Sequence, residues 1–95
     1  MDMEQIRNKI IRVGGAEEAI TGRATIAGIE SAINAETLDT VNLRDGRVML
    51  VDDLGISKKL PVNEVATKLY HSVCRKGTTA QIHGDVAVVY DEDFA

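Results

Sequence analysis

His71 and Cys74 stand three residues apart in a stretch that reads as helix, so their side chains can be neighbours. A cysteine beside a histidine is the minimum of a thiolate nucleophile with its base, or half of a zinc site. A structural zinc takes four N/S ligands, and only His83 could join the pair, leaving three at most. Nucleophilic catalysis would further need a group to orient the histidine and donors for an oxyanion. The plainer reading is a cysteine edging the core and a histidine on the polar flank. His83-Gly84-Asp85 sets an imidazole near a carboxylate, yet Gly-Asp ahead of an apolar run more often makes a bend or bulge. No G-x-x-x-x-G-K-[ST] and no strand-borne G-x-G-x-x-G occurs, so Gly14-Gly15 and the Gly22/Gly28 pair are not phosphate loops. No catalytic residue, metal or cofactor is expected.

A second kind of chemistry is charge. Arg44 and Arg47 flank Asp45-Gly46, and Lys58 and Lys59 follow a few residues later. Together they could hold an anion, a nucleic-acid backbone or an acidic protein. Basic residues at a strand edge also deter aggregation. The net charge of −4 opposes strong nonspecific affinity for DNA. The charge is polarised along the chain: residues 1–40 hold four basic against seven acidic side chains, 41–76 seven against four, and 77–95 none against four. Packing of opposite-sign segments on one another explains this as well as partner binding does. The acidic end Asp91-Glu92-Asp93-Phe94 could mimic phosphates or cap the basic middle, and otherwise reads as a frayed, solvated tail.

These residues must be carried by a single small domain. Ninety-five residues with no tryptophan and few aromatics must build the core from Ile, Val and Leu, and the β-branched excess favours sheet. A single cysteine leaves no intramolecular disulfide and fits a reducing cytoplasm. No secretory leader and no apolar run of the ~20 residues that span a bilayer is seen. A cytoplasmic protein with no membrane partner is expected.

The spacing predicts the elements in turn. Residues 6–13 read as a strand ending at Gly14-Gly15, a two-residue turn that would set Arg12 opposite Glu17 and Ile11 opposite Glu18. Residues 16–22 return as a strand or form a helical turn. Ile26, Ile29 and Ile33 fall at helical spacing behind Thr25 as N-cap, with Gly28 inside to let a strand approach. Asp45-Gly46 between alternating apolar residues marks a hairpin. If these two residues form the turn, Arg44 pairs with Arg47 and Asn42 with Met49. Val41, Leu43, Val48 and Leu50 then share a core face, while Asn42, Arg44, Arg47 and Met49 are displayed on the other. Pro61 or Asn63 opens a second helix with an apolar stripe of Val62, Val65, Ala66, Leu69 and Val73, which Arg75, Lys76 and Gly77 close. Ala80–His83 and Val86–Tyr90 read as a strand or strand pair, and the unbroken run from Val86 to Val89 predicts a central strand buried on both faces.

At this point the chain resembles a family. From Ile29 to Val89 the order of a short helix, a strand pair turning at Asp45-Gly46, Asp52-Asp53-x-Gly55, Lys58-x-Leu60-Pro61-x-Asn63 with Ala66, and Ile82-His83-Gly84-Asp85-Val86 resembles domain-of-unknown-function family 3846. The resemblance covers about two thirds of the chain and implies a small accessory protein of phages, plasmids or their bacterial hosts. It carries over no catalytic residue. The expected object is an α+β domain in the order ββ-α-ββ-α-β, a mixed sheet of about five strands bearing two helices, an order shared with β-grasp folds. The expected function is non-enzymatic binding of another protein or of a second copy. The alternative is a weak nucleic-acid or anion binder. The candidate binding residues are Asn42, Arg44, Arg47, Met49, Lys58 and Lys59.

Overall fold

The structure, a computed structural model, describes residues 7–74 and 76–94. Its order is β1 (Lys9–Ile11), β2 (Glu17–Ala19), α1 (Ile26–Ile33), β3 (Leu38–Asn42), β4 (Arg47–Asp52), α2 (Glu64–Ser72) and β5 (Val86–Tyr90), with a 3-10 turn at Asp91–Asp93. The expected α+β order ββ-α-ββ-α-β is what forms. Ile6, and Arg75 as a helix-closing cation, lie outside the described residues. Among the described residues no helix is long and apolar enough to cross a membrane.

The five strands lie in the order β2-β1-β5-β4-β3, which puts β5 at the centre as its apolar run requires. Every strand pairing is antiparallel, so the sheet is not mixed. The reason lies in the connection from β4 to β5. Helix α2 runs out, and the segment after it returns along the helix. Asn63 N–H donates to Ile82 O, and Val62 bridges His83 at the helix's own beginning. The net displacement is small, so β5 starts beside the end of β4 and must run antiparallel to it. β1 is antiparallel to β5 as well, so the sheet lacks the parallel pair that a mixed or β-grasp sheet would need. Ala80–His83 is this return segment and forms no named strand.

The three central strands, β1, β5 and β4, are buried on both faces. On one, Ile29 and Ile33 of α1 pack with Ile10, Leu50, Ala87 and Val89. On the other, Ala66 and Leu69 of α2 pack with Ile11, Met49, Val86 and Val88. Burial on both sides removes the constraint that a one-sided sheet places on register, and both hairpins depart from expectation by one residue. Ile11 lies opposite Glu17 and Ile10 opposite Glu18. Asn42 lies opposite Val48 and Val41 opposite Met49. Each loop thus has three residues rather than two, with glycine at the third position and positive φ: Gly15 at 97° and Gly46 at 88°.

Capping sets the helix starts. Thr25 Oγ1 accepts from Gly28 N–H. A Cβ on Gly28 would lie 2.9 Å from that oxygen, so this glycine makes room for the cap and not for a strand. Asn63, not Pro61, caps α2. The C-terminal acids are not frayed. Arg7 pairs with Glu92 and Asp93, Asn8 donates to Asp93 at 2.9 Å, and Ala24 bridges Phe94, which packs against the α1-side core.

Candidate functional site

The shifted register dissolves the displayed face. Met49 is fully buried on the α2 side of the sheet, and Asn42 Oδ1 accepts from the backbone N–H of Arg44. Arg47 holds Asp45 with two guanidinium nitrogens at 2.8 and 3.0 Å. That contact raises the arginine's pKa and holds the Asp45 carboxyl below its ordinary range. Lys58 reaches the buried Asp52 carboxylate at 2.6 Å and the carbonyl of Asn34 at 3.1 Å. Of the four expected cations, Arg44 and Lys59 remain exposed and in no ion pair among the described residues. They do not form one patch. Arg44 sits at the tip between β3 and β4, whereas Lys59 follows the far end of β4, whose six residues span roughly 20 Å.

The other sequence candidates are engaged in structure. His71 Nε2 lies 2.6 Å from Ala80 O, and half-buried Cys74 neighbours Tyr70 and raises the phenol's pKa. His83 Nδ1 lies 2.9 Å from Leu60 O. Asp85 receives Arg12 and the Val13 N–H, each at 2.9 Å, so the His83–carboxylate pair is not made. Arg12 also clasps Glu18, the first cause of its raised pKa, and donates to Ala32 O. Among the described residues no group of three or more His, Cys, Asp and Glu side chains could hold a metal ion.

What the structure brings forward is an edge. β2 closes one side of the sheet with three residues, two of them acidic, a short charged edge of the kind that resists pairing. β3 closes the other with five, Leu38-Asp39-Thr40-Val41-Asn42, without lysine or proline. Leu43 N–H donates to Arg47 O and Asp53 N–H to Thr37 O. Antiparallel hydrogen bonding alternates residue by residue, so Thr37, Asp39, Val41 and Leu43 bond inward to β4. Leu38, Thr40 and Asn42 therefore turn their backbone groups outward. Among the described residues, the Thr40 N–H meets only the neighbouring Asp39 carboxylate, at 2.9 Å.

Beside this edge lies a shallow recess of about 190 Å³, lined by Asp39, Val51, Ile56, Gln81, Ile82 and His83 among others. Ile56 is 73% exposed, the most exposed large apolar residue described, and Leu54 in the same loop is 38% exposed. Residues 36–40, Glu-Thr-Leu-Asp-Thr, have no strand alternation, so the sequence does not announce this edge. Its one signal is Ile56, an isolated apolar residue between Gly55 and Ser57-Lys58-Lys59. No family model, no curated protein and no solved structure matches the chain.

Proposed function

We propose that this chain is a non-enzymatic accessory protein that acts by binding another protein, taking up an extended segment along β3. The observation that carries the reading is the open edge with a recess next to it. In strand addition the backbone ladder supplies affinity, and a neighbouring pocket selects side chains. Leu38, Thr40 and Asn42 offer the ladder. The recess that runs from Asp39 to Ile56 offers the pocket. The phage, plasmid or host setting implied by the family resemblance is part of the same proposal, since a small binding protein is what such a setting calls for.

The basic-tip alternative has less support, because Arg47 and Lys58 already neutralise Asp45 and Asp52. The two readings separate by substitution. Thr40→Pro removes an outward N–H that β4 does not use, so the fold tolerates it while strand addition is blocked. Affinity capture from a bacterial lysate, with bound proteins identified by mass spectrometry, should lose its specific partner with Thr40→Pro and keep it with Arg44→Ala/Arg47→Ala. Loss with the arginine pair alone, together with steep salt dependence, would overturn the reading in favour of an electrostatic ligand.

A further inference from the structure

Resting on that reading, we infer that the segment β3 receives is β3 of a second copy, paired antiparallel about a two-fold axis through Thr40. A two-fold edge pairing must oppose the same strand to itself, so the sequence of β3 can be tested for self-complementarity. Centred on Thr40, the pairing sets Leu38 against Asn42 of the second copy and Thr40 against Thr40. All the outward-turned residues then meet one another, and the five residues of each strand are all paired. Thr–Thr is a favourable cross-strand neighbour. Asp39 faces Val41, so no like charges are opposed.

The same register carries a charge match just beyond the strand. It sets Arg44 of one copy opposite Glu36 of the other, and the symmetry repeats the pair. Both side chains are exposed, and neither has an ion-pair partner among the described residues. The adjacent symmetric registers fail on inspection. Centring on Asp39 opposes two carboxylates at the closest point. Centring on Val41 sets Leu38 against Arg44 and Glu36 against Gly46, so the apolar side chain meets a cation and the charge match is lost. The result would be a continuous ten-stranded sheet with α1 of both copies on one face and α2 of both on the other.

Sedimentation equilibrium over a wide concentration range tests the inference. The wild-type chain should be a dimer, and Thr40→Pro a folded monomer by circular dichroism. Glu36→Arg or Arg44→Glu alone should each weaken self-association about tenfold, since two pairs turn repulsive. An equimolar mixture of those two single variants should form a heterodimer as tight as the wild type, a result that altered folding cannot mimic. A wild-type chain that stays monomeric, or a dimer unaffected by Thr40→Pro, overturns the self-pairing. If the monomer still loses a captured partner with Thr40→Pro, self-pairing alone has failed. If capture is also indifferent to the proline, β3 docking has failed with it.

Discussion

Asn63 serves three backbone groups at once. Its Oδ1 accepts from Ala66 N–H to start α2, and its Nδ2 donates to Ile11 O and Gly84 O, each at 3.0 Å. It is completely buried, so no water replaces these bonds. Only an amide supplies both the acceptor and the two donors, which is why Asn63 caps the helix and Pro61 stays outside it. Asn63→Ala removes the cap and strands two buried carbonyls, with an expected cost of about 3–5 kcal/mol in urea unfolding. Asn63→Asp keeps the cap acceptor but points a carboxylate at two carbonyl oxygens, and should be no better. Asp52 is the second buried polar anchor. Burial works to raise its pKa, but the Lys58 ammonium and the Leu54 N–H together outweigh burial and hold it below the usual carboxylate range. A carboxyl whose pKa is lower folded than unfolded contributes stability above its unfolded value, near 4, and loses it as pH falls through the folded value. The urea midpoint should therefore drop below about pH 4, and Asp52→Asn should drop less steeply over that range.

Among the elements, the two hairpins depart from expectation for one shared reason. Arg44-Asp45-Gly46 and Val13-Gly14-Gly15 are both three-residue loops closing on a glycine at positive φ. Asp-Gly does mark a hairpin, but the apolar pattern cannot fix its register. Val48 and Leu50 pack towards α1 while Met49 packs towards α2, so either register buries apolar side chains. Substitution separates the two. Met49→Lys puts a charge into the α2-side core and should cost about 3–5 kcal/mol, or prevent folding. Arg47→Ala breaks only a half-exposed pair with Asp45 and should change stability by less than ~1 kcal/mol. In the displayed-face register the two changes would be similarly mild, so the ratio of their effects in thermal unfolding is diagnostic.

Across the molecule, the segments at Arg7–Asn8 and Tyr90–Phe94 are tied together. Asn8 Oδ1 accepts from Tyr90 N–H, its amide donates to Asp93, and Ala24 N–H donates to Asp93 O. Arg7 stacks over the Tyr90 ring while pairing with the terminal acids. Phe94→Ala should cost about 1–3 kcal/mol, less than for a fully buried ring. It should also speed amide exchange at Ala24 more than at the β5 amides. The polarised charge does not resolve as a basic middle neutralised by an acidic tail. Among the described ion pairs, Arg47 and Lys58 pair within the middle segment, and the acids beyond residue 77 pair with Arg7 and Arg12.

Features that depend on local chemistry are legible along the chain. Thr25 and Asn63 are caps because their side chains reach nearby N–H groups. Asp45-Gly46 turns because glycine tolerates positive φ, and the run from Val86 to Val89 is central because only a strand covered on both faces can be apolar throughout. Strand direction, register and the exposed edge are decided by what packs from far away in the chain. The return of residues 78–83 along α2 makes β5 antiparallel, and one helix on each face lets the hairpins shift by a residue. Among the described residues, the sheet order leaves β3 without an outer neighbour. No window of sequence contains these facts, because each depends on segments that meet only after folding.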